Sequence, residues 1–171
     1  METLFAKQDR LLMLTSTEII RALMYKINWD AQLIAIRGPR GVGKTTLMLQ
    51  YIKQHYEAYN REVLYCTLDS VYFSNHTLLE LVDVFYKHGG KHLFLDEVHK
   101  YPTWSKEIKE IYDMYPDLRV VFSASSLLNI LNADADLSRR CIPYESKDFL
   151  FGNSYYFTNN WIYQYVLWMK S

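Results

Sequence analysis

The residues with the most distinctive chemistry read GPRGVGKT and occupy positions 38–45. This octet matches G-x-x-x-x-G-K-[ST] at every fixed position, and its glycines allow a loop whose backbone N–H groups point inward around phosphate oxygens. Lys44 would reach the β- and γ-phosphates of a nucleotide, and Thr45 would coordinate magnesium. Arg40 is compatible with phosphate binding and equally with a solvent-facing role. The positions expected to contact nucleotide are Gly38, Pro39, Arg40, Gly41, Val42, Gly43, Lys44, Thr45 and Thr46.

Two adjacent carboxylates, Asp96 and Glu97, follow the apolar run LFL at residues 93–95. Burying a strand that ends in two charges is costly unless the charges have partners. Asp96 fits the magnesium-organising aspartate of nucleotide hydrolases. Glu97 fits a base that orients and polarises the attacking water. Taken alone, the pair is also compatible with a solvated loop start, but its combination with a phosphate loop favours catalysis.

The run SASS at residues 123–126 places hydroxyls after another apolar segment. A hydroxyl from Ser123 or Ser125 would contact the γ-phosphate or the attacking water. Small polar residues also end many strands simply because they favour turns. Both interpretations remain open for the two serines.

Two arginines, Arg139 and Arg140, precede the short run CIPYE. They are compatible with a solvated edge of the sheet. Alternatively, one of them supplies positive charge to a nucleotide held by a neighbouring subunit, as arginine fingers do. Arg139 is the preferred candidate for this catalytic role, which would require a homo-oligomer.

These residues need a scaffold, and the apolar pattern predicts one of alternating strands and helices. The predicted strands cover residues 32–38, 62–68, 92–97, 118–125 and 139–145. The predicted helices cover residues 1–30, then 44–56, a stretch from Ser74 or Asn75 to Gly89, 104–115, and a short helix near 126–131. This alternation favours a three-layer α/β/α fold with five parallel strands covered on both faces. Ligands of such sheets bind at the carboxyl ends of the strands, where the candidate residues fall.

The bulk composition excludes several classes of protein. The 171 residues fit one domain, and Lys+Arg equals Asp+Glu at 19 each, so charge gives no support for binding to nucleic acid or a membrane surface. Two cysteines without metal-ligand spacing favour a reducing compartment. We see no signal peptide, and no apolar run approaches the ~20 residues of a membrane span. We therefore expect a cytoplasmic protein.

We divide the chain into a helical lead-in (1–30), a nucleotide-binding core (31–150) and a tail (151–171). The tail has eight aromatic residues and a single charge. An apolar surface of this kind favours a protein partner, or a last helix that packs on the domain.

Together, these motifs resemble the bacterial ATP-binding proteins of the AAA type. The likeness rests on GPRGVGKTT, LFLDEVHKYPTW, the run ending in SASS, and ADLSRR, and it extends over about residues 15–145. It implies a P-loop ATPase core in which the strand ending in Ser123 lies between the phosphate-loop strand and the strand ending in Asp96. SRRC also resembles the arginine-finger box of clamp-loader subunits. Relatives usually continue into a lid and an uncharacterised C-terminal domain, so we expect this chain to be truncated after the core.

The leading hypothesis is an ATPase module that couples nucleotide state to a protein partner or to self-assembly. It is favoured by the intact motif residues Lys44, Thr45, Asp96 and Glu97. An alternative is a nucleotide-dependent switch that binds ATP and ADP with negligible turnover, which the missing lid favours. A small-molecule phosphotransferase is a third reading, but no acceptor motif is recognisable, and an adjacent Asp-Glu pair fits water activation better.

Overall fold

A five-stranded parallel sheet forms the centre of the fold. The computed structural model describes residues 1–125, 135–146 and 155–157. The strands are β1 (Ile19–Arg21), β2 (Leu33–Arg37), β3 (Val63–Thr67), β4 (His92–Asp96), β5 (Arg119–Ala124), β6 (Ile142–Glu145) and β7 (Tyr155–Phe157). The main sheet has the order β3-β4-β5-β2-β6, with every neighbouring pair parallel. This confirms the predicted α/β fold with five parallel strands.

The sheet is the middle of three layers. The helices are α1 (Glu2–Leu14), α2 (Lys44–His55), α3 (Leu78–Lys87), α4 (Trp104–Met114) and α5 (Ala135–Ser138), with 3-10 helices at Ala22–Tyr25, Val71–Ser74 and Val98–Lys100. Successive strand side chains point to opposite faces, and each face has its own apolar cluster. In β2, Leu33 and Ala35 pack with residues of α3 and α4, whereas Ile34 and Ile36 pack with residues of α2.

The order of the strands matches the order implied by the resemblance. The phosphate-loop strand β2 pairs with β5, which carries Ser123, and β5 pairs in turn with β4, which ends in Asp96. The carboxyl ends of β4, β5 and β2 therefore lie side by side, with β5 and its Ser123 in the middle. This brings the candidate residues to one edge of the sheet.

Helix α1 covers the edge of β3 that pairs with no described strand of the main sheet. The side chain of Gln8 is 1% exposed; its Nε2 donates to the Val63 carbonyl (3.3 Å), and its Oε1 accepts from the Tyr65 N–H (2.5 Å). An unpaired strand edge is a template for aggregation. Gln8 protects this edge, because its side chain pairs with one backbone acceptor and one backbone donor of β3.

The apolar spacing predicted a helix over the whole lead-in, and this prediction is wrong. Helix α1 ends at Leu14, and β1 follows, with Ile20 buried and Ile19 exposed. Two adjacent isoleucines are β-branched and favour an extended backbone. Strand β1 pairs antiparallel with β7, which places Arg21 opposite Tyr155. The predicted helical spacing therefore arose from a helix, a strand and a 3-10 helix in succession.

The third helix begins later than predicted. Ser74 and Asn75 do not cap it; Ser70 instead caps the preceding 3-10 helix. The Thr77 hydroxyl accepts from the Glu80 N–H (3.1 Å), and the Glu80 carboxylate accepts from the Thr77 N–H (2.8 Å). This reciprocal pair is a capping box, which the spacing T-x-x-E signals in the sequence.

Two predictions lie partly beyond the described residues. The short helix near 126–131 is outside them. Of the aromatic tail, 155–157 are described and form a strand rather than part of a last helix. Among the described residues, no helix is both long enough and apolar enough to span a membrane.

Candidate active site

The phosphate loop joins β2 to α2, as the sequence predicted. Gly38 has φ +155°, and a Cβ there would lie 2.2 Å from the carbonyl oxygen of Ser146, just after β6. Gly43 is the N-cap of α2 in a left-handed conformation, φ +76°. Both ends of the loop therefore require glycine, one for a close backbone approach and one for its backbone angle.

The crest of the loop is open. Val42 is buried, and the exposed residues are Pro39, Arg40, Gly41, Thr45 and Thr46. The positive end of the α2 dipole lies at this crest, and helix N-termini attract phosphate for that reason. The loop is thus accessible to a phosphate chain, and Arg40 is exposed at its outer face.

Lys44 lies inside the loop and is 7% exposed. Its Nζ donates to the carbonyl oxygens of Gly38 (2.8 Å) and Pro39 (2.7 Å). Burial lowers the pKa of Lys44, the nearby charge of Arg21 lowers it further, and the carboxylates of Asp96 and Glu97 oppose both effects. The loop therefore holds the ammonium group where phosphate oxygens would replace the two carbonyls as its partners.

Asp96 is the centre of a hydrogen-bond network and is 3% exposed. Its Oδ2 accepts from the Thr45 hydroxyl (2.5 Å) and from the Tyr65 hydroxyl (2.8 Å). Its Oδ1 accepts from the Ser123 hydroxyl and from the Glu97 N–H (3.0 Å). Buried charges persist only when they are paired in this way. The network joins the phosphate loop to β3, β4 and β5.

Tyr65 is the contributor to this network that the sequence did not indicate. It is 5% exposed, and burial, reinforced by the charge of Asp96, raises its pKa. Its hydroxyl therefore remains protonated and donates to the carboxylate. Tyr65 lies in the middle of β3, whereas the residues that the sequence motifs indicate follow the ends of strands.

The oxygen atoms at this position suit magnesium. Thr45 donates its proton to Asp96, so the lone pairs of its hydroxyl oxygen remain available to a cation. Magnesium prefers oxygen ligands and usually takes only one or two from the protein, with phosphate and water supplying the rest. Within the described parts of the chain, no group of three or more His, Cys, Asp or Glu side chains could hold a metal alone. Thr45 and Asp96 therefore fit a metal shared with a nucleotide.

Glu97 adopts a backbone conformation that is rare for a non-glycine residue, with φ +55° and ψ +41°. Its N–H donates both to Asp96 Oδ1 and to Ser123 Oγ, each at 3.0 Å. Its side chain is 29% exposed, with Oε2 lying 3.7 Å from His99 Nε2. Backbone strain of this kind often marks functional sites. The carboxylate of Glu97 is partly exposed, whereas that of Asp96 is buried.

The two serines lie in different environments. Ser123 is fully buried and its hydroxyl donates to Asp96, so it positions the aspartate in this structure. Ser125 follows β5 and is half-buried. Direct contact of either serine with a γ-phosphate or the attacking water stays a prediction.

The two arginines before β6 also differ. Arg140 forms a two-point ion pair with Asp113 of α4, with distances of 3.0 and 3.2 Å. Arg139 is exposed. It precedes β6, at the end of the sheet opposite the phosphate loop. Arg140 is thus held by an ion pair within its own chain, and Arg139 remains the candidate for contact with a neighbouring subunit.

Arg21 is a further residue at the site that the sequence did not indicate. Its Nη1 donates to the Ser146 hydroxyl (2.8 Å), and its guanidinium lies against Gly43. No sequence motif includes it, and the predicted helix over the lead-in gave no reason to place it near the loop. Only the pairing of residues distant in the chain reveals its position.

Comparison with known proteins identifies the family. Residues 30–153, more than half of the chain, match the family described as AAA domain. Among solved structures, PCH-2 of C. elegans is similar with a TM-score of 0.46 and 18% sequence identity, and the match covers 85% of this chain and 41% of that one. This chain therefore spans less than half the length of that structure. A comparison with curated proteins gives no match. The match over residues 30–153, on a sheet that presents its loop and carboxylates at one edge, shows that the chain belongs to the AAA domain family and is an ATP-binding module of that type.

Proposed function

We propose that this chain binds ATP with magnesium and hydrolyses it to ADP and phosphate. The observation that carries the proposal is the network around Asp96. It connects Thr45 at the start of α2 to Glu97 through one buried carboxylate. A nucleotide in the loop would therefore be held in fixed relation to the candidate base.

Binding would use groups that already converge on the loop. Backbone N–H groups and the α2 dipole would hold the phosphate chain, and Lys44 would exchange its two carbonyl partners for phosphate oxygens. Bound magnesium, held by Thr45 and organised by Asp96, would neutralise charge on the β- and γ-phosphates. Lys44, the α2 dipole and bound magnesium would together offset most of the negative charge of the phosphate chain.

Hydrolysis would use Glu97. The water oxygen attacks the γ-phosphorus, the bond to the β–γ bridging oxygen breaks, and the water proton passes to the Glu97 carboxylate. Two hydrogen bonds fix the Glu97 backbone, and the partly exposed carboxylate can reach water. His99 lies 3.7 Å from that carboxylate and would restrain it.

We also propose that Arg139 acts on the nucleotide of a neighbouring copy of this chain. The four residues of β6, at ~3.3 Å each, separate Arg139 from the loop edge of the sheet by at least about 13 Å. Arg139 is exposed, so it is accessible to another subunit. This role implies assembly into a homo-oligomer.

The test of the proposed function is phosphate release from MgATP by wild type and Lys44→Ala, with nucleotide binding measured by calorimetry. Wild type should bind MgATP and release phosphate. Lys44→Ala should bind more weakly by about 1.5–3 kcal/mol, the scale of a hydrogen bond to a charged group. Equal affinities for the two proteins would refute the assigned site, and binding without phosphate release would identify a nucleotide switch.

A further inference from the structure

Arg21 stands at the end of a segment that runs along α2 toward the phosphate loop. Lys53, near the carboxyl end of α2, donates to the Thr15 carbonyl (2.7 Å). One turn earlier, Gln50 donates to the carbonyls of Ser16 (2.9 Å) and Ile19 (2.8 Å). Arg21 then reaches Gly43 at the amino end of the helix. The segment is therefore anchored along α2 and delivers Arg21 to the loop.

The guanidinium of Arg21 bridges the two ends of the phosphate loop. A Cβ on Gly43 would lie 3.3 Å from Cζ, 3.3 Å from Nη2 and 3.4 Å from Nε, so the planar group lies flat against that glycine. Nη1 donates to the hydroxyl of Ser146, whose own N–H donates to the Arg37 carbonyl at 2.6 Å. The carbonyl of Ser146 approaches Gly38 at the start of the loop. One arginine thus touches Gly43 directly and Gly38 through Ser146.

The chemistry of this position favours an anionic ligand. Arg21 lies close enough to Lys44 for the two charges to oppose each other, and both lie at the positive end of the α2 dipole. A phosphate chain in the loop would attract both cations and so offset their mutual repulsion. Guanidinium groups also offer a planar fork of donors that matches phosphate oxygens.

We propose that Arg21 is a nucleotide ligand supplied in cis, which binds the phosphate chain of ATP alongside Lys44. This inference rests on the proposed function, because it takes the loop as the nucleotide site. Arg21 is also the last residue of β1, which pairs with β7 near the carboxyl end of the chain. A nucleotide bound by Arg21 would therefore contact a residue of the two-stranded sheet that β1 forms with β7.

The experiment compares the affinity for MgATP of Arg21→Gln, Arg21→Lys and Ser146→Ala with that of wild type, by calorimetry at two salt concentrations. Arg21→Gln should bind at least tenfold more weakly, and its affinity should depend less on salt because one charge pair is lost. Arg21→Lys should recover part of the loss, because the charge remains without the fork. Ser146→Ala should change affinity less than threefold, because it removes one hydrogen bond of Arg21 and leaves the guanidinium charge in place.

Two controls separate a ligand from a structural residue. Lys53→Gln removes one positive charge at the end of α2 far from the loop, while both Gln50 bonds still hold the segment, so it should bind MgATP as wild type does. Thermal unfolding of each variant reports whether the domain remains folded. An Arg21→Gln affinity within twofold of wild type would overturn the inference, and so would equal losses in Arg21→Gln and Ser146→Ala.

The result also distinguishes this inference from the proposed function. If wild type binds no MgATP, the proposed function fails. If wild type binds, Lys44→Ala binds weakly and Arg21→Gln binds normally, only the role of Arg21 fails.

Discussion

The hydroxyl of Tyr65 offers a single-atom test of how Asp96 is positioned. Tyr65→Phe removes the 2.8 Å bond to Asp96 Oδ2 and leaves the Thr45 bond to the same oxygen in place. A hydrogen bond to a charged group contributes about 1.5–3 kcal/mol. Loss of a partner that orients a metal-organising group typically costs about 10–100-fold in metal affinity. We therefore expect Tyr65→Phe to require about tenfold more magnesium for half-maximal ATP binding.

The assay is a magnesium titration at fixed ATP, read by calorimetry or by a fluorescent nucleotide. Tyr56→Phe is the matched control, because it removes a hydroxyl that pairs with His92 (2.9 Å) at the amino end of the sheet. Both variants lose a partly or fully buried tyrosine hydroxyl, so thermal unfolding reports their cost in stability separately. Only Tyr65→Phe should change the magnesium requirement. If both variants titrate as wild type does, the hydroxyl of Tyr65 does not position Asp96.

Two further predictions concern assembly and acid stability. Phosphate release per chain should rise with protein concentration, and a mixture of Arg139→Ala with Lys44→Ala should regain activity. Arg140→Ala is the control, and it should release phosphate as wild type does. Activity independent of concentration, together with a fully active Arg139→Ala, would contradict the role in trans. His92 is fully buried, and burial, helped by the charges of Arg119 and His55, lowers its pKa to about 3. Because the unfolded chain takes up this proton below about pH 6.5 and the folded chain does not, the free energy of unfolding should fall by up to about 1.4 kcal/mol per pH unit as the pH is lowered from there toward 3. Urea unfolding at pH 7 and pH 5 checks this, with a shallower pH dependence expected for His92→Phe and an equal one contradicting the assignment.

The five strands, and the position of the candidate residues at one edge of the sheet, could be predicted because their signals are local. The loop at 38–45 and the carboxylates after β4 each lie directly after a strand, and parallel strands bring such positions to one edge. The family resemblance supplied the place of β5 between β2 and β4, which periodicity alone does not give.

The rest depends on contacts between residues that are far apart in the chain. Tyr65 reaches Asp96 across a strand pair, and Arg21 reaches Ser146 across 125 positions. The backbone of strand β1 pairs with β7, and its Ile19 carbonyl accepts a hydrogen bond from Gln50. Ile19 and Ile20 therefore fit a helical spacing in the sequence but adopt an extended conformation in the fold. Tertiary pairing overrides local pattern at these positions.

The most direct test of the central claim is phosphate release from MgATP by Glu97→Gln, with binding measured on the same protein. Glutamine keeps the size and the backbone bonds of Glu97 but cannot accept a proton at neutral pH. We predict that Glu97→Gln binds MgATP within about threefold of wild type, since Glu97 is not among the predicted loop contacts. Its rate of hydrolysis should fall by about 10²–10⁴, the contribution of a single positioned base. Hydrolysis by Glu97→Gln at the wild-type rate would contradict the assignment of Glu97 as the base.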